Sequence, residues 1–342
     1  MNNNVLRKKE GKTVAKDYEL GFRDVAQINS ALSDQTDVSA AGPLLCNTKP
    51  QRCFNGQMLG HQGFLLTGEQ RDEIIKRDPR SAEIIHPYLN GMEVLTLGGE
   101  GERFVLNFEQ TDQLTAAGYM RPHHKAFLSR WWQLGFGRPE MLSVIKPLPR
   151  YLACAYVTKR PVFLFISREF RPNNLIQVFG FADDYSFGVL QSHAHWLWFV
   201  TKCGKLKSDF RYSAESVFDT FPWPQSRDAK AVNAVAAAGR KVRRIRAETL
   251  PQMKGGLRAL YRTLEFPGAN PRKAAHAALD AAVLAAYGFN AKADLLAQLL
   301  ALNQQVAAHI AAQESVTAPG IPPGFPNAES LVTDDCIRPA AG

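Results

Sequence analysis

Adjacent carboxylates at Asp183-Asp184 and a His-x-His pair at His193 and His195 are the residue types in this chain best suited to metal-assisted or acid/base chemistry. A nuclease would clamp a metal between such groups. Their spacing argues against it. In "FADDYS" the two aspartates are consecutive, which suits a turn and a helix cap. His193 and His195 point to different faces of a helix, and no third ligand stands near them. His123-His124 has the same weakness and fits a structural or surface role. The five cysteines (Cys46, Cys53, Cys154, Cys203 and Cys336) are odd in number and scattered. They make neither a disulfide framework nor zinc-ligand spacing, and they fit a reducing cytoplasm.

Charge points to a different chemistry. The 342 residues carry a net charge of +9. Residues 121–215 hold 14 Lys/Arg against 6 Asp/Glu, whereas the rest of the chain holds 27 against 26. A surplus concentrated in one stretch implies a polyanionic partner, most simply nucleic acid. The candidate phosphate contacts are Arg138, Lys146, Arg150, Lys159, Arg160, Arg171, Lys202, Lys205, Lys207 and Arg211. Asn173 and Asn174, after "REFRP", have side chains able to bond two edge atoms of an adenine, or form a plain turn. The run from Arg240 to Arg246 reads equally as a second contact or as the wet face of a helix.

The elements that must position these groups follow from periodicity. Residues 1–17 read as a flexible lead-in, and the opening "MNNNVLRKKEGK" lacks the apolar run of a secretory signal. No apolar run approaches the ~18 residues of a membrane span, so no membrane partner is expected. "FNGQMLGHQGFLLTG" (54–68) reads as strand, turn and strand. "GEQRDEIIKRDPRSAEIIHPYLNG" reads as one or two short helices ended by Asn90-Gly91, "ERFVLNF" as a strand, and "HHKAFLSRWWQLGFG" as helical up to its glycines. "RYLACAYVTKRPVFLFIS" holds two β-rich runs and "LIQVFGF" a third, before "SFGVLQ" opens a helix through "LQSHAHWLWFVTK". Beyond Pro224 the pattern is helical. Val232, Val235, Val242 and Ile245 share one face. Asn270-Pro271 starts a helix that Gly288 ends, and Leu295, Leu299, Leu302, Val306 and Ile310 form another apolar stripe. The Pro/Gly-rich end, 316–342, has the composition of a disordered tail.

"FDTFPWPQ" (218–225) lies where the two patterns meet. Proline blocks both ladder and helix, so the chain leaves the first region in a fixed direction. Phe218, Phe221 and Trp223, with Pro222 and Pro224, offer apolar surface that pins this connection on both sides.

"LKSDFRYS" (206–213) followed by "VFDTFPWPQ" (217–225) resembles the end of the target-recognition domain in the single-chain DNA methyltransferases of type IIG/IIL restriction-modification systems. "FADDYSFGVLQSHAHWLWF" (181–199) is similar to the run that precedes that motif. "LRALYRTLEFPGANPRKAAHAALDAAVLAAYGF" (257–289) is similar to the helical segment that closes such proteins, and "INSALSDQTDV" (28–38) to the entry of the domain. The resemblance implies a mixed α/β target-recognition domain over 18–225 and an all-α domain over 226–315. It also implies sequence-specific binding of double-stranded DNA in a prokaryotic cytoplasm, and it puts Gln191, Ser192, His193 and His195 near the DNA. Adenine-N6 methylation in that family needs a glycine-rich loop for S-adenosylmethionine and an Asn-Pro-Pro-aromatic motif. Neither occurs here; "NPR" at Asn270 is the nearest approach and reads as a helix cap. The chain therefore resembles a specificity part that binds no cofactor itself, with S-adenosylmethionine and methyl transfer belonging to a catalytic domain or subunit. The alternatives are a stand-alone nuclease using Asp183, Asp184 or His193, and an inert remnant of a truncated gene.

Overall fold

The computed structural model describes residues 36–96, 103–109, 111–118, 131–206 and 209–339. The lead-in 1–17, the run 28–35, most of the helix expected from residue 123, and Lys207 lie outside them. The strands are β1 (Cys53–Asn55), β2 (Leu65–Leu66), β3 (Ile85–Leu89), β4 (Arg103–Leu106), β5 (Arg150–Ala155), β6 (Val157–Thr158), β7 (Leu164–Ser167), β8 (Arg171–Pro172), β9 (Ile176–Phe179), β10 (Gly204–Leu206) and β11 (Asp209–Arg211). The helices are α1 (Leu45–Thr48), α2 (Gly68–Arg77), α3 (Gly91–Thr96), α4 (Gln113–Ala117), α5 (Pro139–Ile145), α6 (Asp184–Gln191), α7 (His193–Lys202), α8 (Ala229–Thr249), α9 (Gly256–Arg262), α10 (Pro271–Tyr287) and α11 (Leu295–Ala311). The mixed α/β region followed by helices is the expected order.

Three sheets carry the first region, ordered β1-β9-β5-β7, β2-β4-β3-β8 and β10-β11-β6. Every residue of β5 is buried, as befits an apolar run covered on both faces. It pairs antiparallel with β7 and with β9. The two strands read from "FNGQMLGHQGFLLTG" are β1 and β2, but they join different sheets and form no hairpin. "HPYL" is also corrected: it lies in a strand, not a helix. After α2, Pro79 opens one short 3-10 helix (Pro79–Glu83), and β3 then pairs antiparallel with β4. The strand β8 meets only Tyr88 and Leu89. One side of Pro87 is thus unpaired, as a residue without an amide hydrogen requires.

Helix α6 is buried from end to end, and α8 crosses it so closely that a Cβ on Gly188 would lie 2.6 Å from Val235 Cγ1 and 3.0 Å from Val235 O. Alanine gains about 1 kcal/mol of helix propensity over glycine, but overpacking against a branched side chain and a backbone oxygen costs about 1–3 kcal/mol. Gly188→Ala is expected to lower the melting temperature by several degrees, with Gly268→Ala, whose backbone is left-handed but which faces open space, as a comparison that adds backbone strain without a clash.

The helices do not form a core of their own. Val232, Leu279 and Leu299 belong to the same apolar cluster as Phe179 of β9 and Trp198 of α7. Composition changes at 225/226, whereas packing runs straight across it, and Val38–Gly342 forms one compact unit. Within the helical half the stop signals act as read. Asn270 accepts a bond from Lys273 N at 2.9 Å, and Gly288 ends α10 with φ 71°.

The junction answers a hydrogen-bonding problem. Phe218, Phe221 and Trp223 are buried and Pro222 and Pro224 with them, so their carbonyls have no water and no ladder. Side chains from elsewhere take them one by one. Asn47 Nδ2 donates to Phe218 O at 2.9 Å and Phe221 O at 2.8 Å, and Asn303 Nδ2 to Thr220 O at 2.8 Å. Tyr287 OH donates to Pro222 O at 2.8 Å and Gln225 Nε2 to Trp223 O at 2.9 Å.

The end of the chain is corrected as well, for residues 316–339 have definite places. Thr317 and Leu331 are buried, and Ile321 and Phe325 pack on the main cluster. Ile337 joins the free edge of β7: its N–H donates to Phe165 O at 2.9 Å and its carbonyl accepts from Ser167 N at 2.8 Å. The anchors are too sparse to register as a pattern among so many prolines and glycines.

Candidate nucleic-acid interface

The strand β4 leads into "NFE", where the chain turns sharply enough to place Glu109 at φ 51°. Opposite it, Arg138 takes φ 54° immediately before Pro139 starts α5. Left-handed backbone disfavours residues with a Cβ, and at functional sites such strain is held by the surrounding structure. Here Glu109 lines a cleft, and Arg138 stands between two residues that line it, Gly137 and Pro139. A cavity of about 580 Å³ is lined by Asn107, Glu109, Gln133, Gly137, Ser143 and Lys146 among others. A second, of about 440 Å³, lies between His86, Arg168, Glu169 and Arg171 and shares Lys146 with the first. Lys146 stands where the two join.

The cleft is polar and of mixed sign. Lys146 Nζ bonds Glu109 Oε2 at 2.6 Å, and Arg171 reaches Glu109 Oε1 at 3.4 Å. Burial raises the Glu109 carboxyl, but these two cations outweigh it and hold it below its usual range. It is thus a fixed acceptor. Burial, with Arg171 adding to it, lowers His86 to about 3, leaving a neutral ring at physiological pH. Asn107 is 2% exposed; its oxygen accepts Glu109 N at 3.1 Å, while its amide nitrogen has no partner. A buried donor left without a bond at the wall of a cavity is costly and suits a ligand acceptor.

The candidate contacts divide sharply. Lys146 and the buried Arg171 line the cleft, and Arg138 stands between its lining residues Gly137 and Pro139. Arg211 is exposed on β11 with its guanidinium 5.0 Å over the Tyr156 ring, and Lys159 is exposed after β6. Lys205 is on β10. Arg160 is half-buried between the Trp196 and Tyr261 rings, at 5.0 and 5.9 Å. Lys202 Nζ is engaged by Ala41 O at 3.0 Å and Val38 O at 3.3 Å.

Several expected contacts are corrected by burial. Arg150 is 1% exposed and bonds Asp184 at 3.0 Å, Asp335 and Ala182 O, so it supports the fold instead of a phosphate. Arg171 is 5% exposed and is tied to Glu109. Asn173 spends its amide on Tyr88 OH at 2.7 Å and its oxygen on Leu175 N at 2.8 Å, the plain turn. Asn174 beside it is half-buried. Gln191 accepts from Phe163 N at 3.0 Å inside the core, and Ser192 caps α7. His195 is fully buried against Tyr212 OH at 2.9 Å. His193 alone of that group is exposed, its N–H bonding Asp280 at 2.7 Å. The two histidines do face different ways.

The acidic pair also separates. Asp183 caps α6, accepting from Ser186 N at 2.7 Å, as its spacing predicts. Asp184 is fully buried and pairs with Arg150 at 3.0 Å, Arg240 at 2.9 Å and Arg243 at 2.7 Å. With Arg246 buried and bonded to Phe163 O at 2.7 Å, the 240–246 run is neither a wet face nor a DNA contact along its inner side. Asp184 is occupied by guanidinium groups, and among the described residues no three His, Cys, Asp or Glu stand close enough to share a metal. The nuclease reading gains no support.

Sequence reasoning missed Asn107, Glu109 and Arg168. "NFE" and "SRE" carry no motif, and only the fold brings them together. Among the described residues the sheets are antiparallel apart from β3 with β8, and no strand runs through a loop of two or more glycines into a helix, the cradle that S-adenosylmethionine uses.

Residues 160–225 match the family model of the MmeI target recognition domain. A curated relative, DNA methyltransferase A of Bacillus subtilis (strain 168), is 34% identical over 137 residues, which is 39% of this chain and 15% of that protein. The chain thus spans a small part of the relative it matches. A solved structure of the type IIL restriction-modification enzyme MmeI in complex with DNA superposes with a TM-score of 0.63 at 22% identity, covering 83% of this chain and 39% of that one. The fold is shared with that enzyme over most of the present chain.

Proposed function

We propose that this chain, which carries a target recognition domain of the MmeI type, is the DNA-reading part of a restriction-modification methyltransferase. The observation that carries the reading is the cleft around Lys146. Exposed Lys146 and Arg168 supply phosphate contacts that set register, and the paired acceptor and donor of Glu109 and Asn107 supply groups able to distinguish base edges. A catalytic domain or subunit, and the S-adenosylmethionine it uses, lie outside the residues described. The relatives' activity comes to this chain only through such a partner, in a prokaryotic cytoplasm. No described helix is long and apolar enough to cross a membrane.

The test is duplex binding against a randomised DNA library, followed by salt titration on the selected sequence. Arg168→Ala and Lys146→Ala are each expected to reduce the slope of log affinity against log salt by about 1. Asn107→Ala is expected to leave the slope unchanged while relaxing one position of the selected sequence, by about 1–3 kcal/mol of discrimination. Equal affinity for every sequence in the library would refute the proposal.

A further inference from the structure

We propose that Met58 and Phe136 form a wedge that enters duplex DNA at the rim of this cleft and stacks between two base pairs. The inference rests on the DNA-reading role above and adds a physical device to it.

Met58 is 42% exposed and Phe136 is 56% exposed, unlike the other described aromatic residues near them, Trp131 and Trp132, which are buried. The backbones that carry these two side chains are locked together. Met58 N–H donates to Phe136 O at 3.0 Å and Phe136 N–H to Met58 O at 2.9 Å, the reciprocal bond of an antiparallel pair. Residues opposite each other in such a pair project their side chains from the same face. Sulfur and ring therefore present one continuous apolar tip.

The base of this tip is rigid. Gly135 N–H bonds Leu59 O at 3.0 Å, and a Cβ there would sit 3.2 Å from Met58 O and from Gly60 Cα. Gln57, fully buried, donates from its amide to Gly137 O at 2.7 Å and from its backbone to Pro172 O at 2.7 Å. Arg138 follows in its left-handed conformation, its guanidinium 5.1 Å from the centre of the Phe136 ring.

Nothing in the fold requires an aromatic ring and a thioether to be held stiffly in water. Rigid Phe and Met side chains are, however, what proteins insert between base steps, and an adjacent cation suits the neighbouring phosphate. Because Gly137 lines the first cavity, the wedge stands directly beside the groups proposed to read base edges.

The test uses the full chain and selected duplexes with 2-aminopurine placed at each step in turn. Binding is expected to change the fluorescence sharply at one step. Phe136→Ala should abolish that change and weaken binding about tenfold with the salt slope intact. Phe136→Leu and Met58→Ala, which keep part of the apolar tip, should retain a reduced change. Lys146→Ala should do the reverse, lowering the slope while the fluorescence change persists. Sequence-selective binding with no perturbed step overturns the wedge and leaves the reading role standing. So does an unchanged signal in Phe136→Ala, or a defect of that variant confined to association with a methyltransferase subunit. Failure of the unaltered chain to bind any duplex overturns both.

Discussion

Replacing Asp184 with alanine is expected to unfold the chain at ordinary temperature or bring it close to unfolding. Asp184 is fully buried and is met by Arg150, Arg240 and Arg243 at 2.7–3.0 Å. Arg150 is 1% exposed, and its guanidinium carbon lies 3.5 Å from the centre of the Phe165 ring. Removing one member of a buried ionic cluster leaves uncompensated charge behind, a loss of about 3–5 kcal/mol. Three guanidinium groups then converge on the vacated site, with Asp335 left as the carboxylate shared by Arg150 and Arg243. Since domains are stable by only about 5–15 kcal/mol, urea denaturation should shift to a far lower midpoint. Asp184→Asn keeps the shape and should fall between. A midpoint unchanged in Asp184→Ala would show that this cluster does not hold the fold.

The second large effect is expected from shortening the chain after Ser330. That removes Leu331, which is 1% exposed, and strips Thr333 and Asp335 from the same arginines. It also bares the edge of β7 that Ile337 covers. Burial raises the Asp335 carboxyl, but the Arg243 bond and Thr333 more than offset this and keep it charged well below its usual range. The lost leucine alone is worth about 2–3 kcal/mol, and an uncovered strand edge invites pairing between molecules. Light scattering during expression and thermal unfolding of the soluble fraction measure the two consequences. A shortened chain that stays monodisperse with an unchanged melting temperature would contradict this role.

Local signals were readable where the partner groups are close in sequence. The cap at Asp183 serves Ser186, and Asn270 serves Lys273, so both follow from a spacing of three. The order of a mixed region and then helices followed equally from periodicity. Asp184 was not readable as an ionic hub, because Arg150, Arg243 and Asp335 are separated from it by dozens of residues or more. A positive surplus in composition also cannot tell a solvated arginine from one used inside the core, and Arg150 and Arg171 are of the second kind. The cleft had the same invisibility: Asn107, Lys146 and Arg168 meet only once β4, α5 and the turn after β7 are in place. The resemblance at 206–225 agrees with the family match over 160–225, whereas the side chains proposed to meet DNA come together only in the fold.

The carbonyls of the Phe-Pro-Trp-Pro segment have a consequence for anyone recombining such proteins. Asn47 reaches them from well before the segment and Tyr287 and Asn303 from well after it. A chimera cut at Pro224 leaves Asn47 with its acceptors but parts Pro222 O and Thr220 O from Tyr287 and Asn303, even though the seam looks like a tidy border. Exchanges that transplant these three donors along with the segment should preserve the spliced protein, whereas exchanges that split them should not.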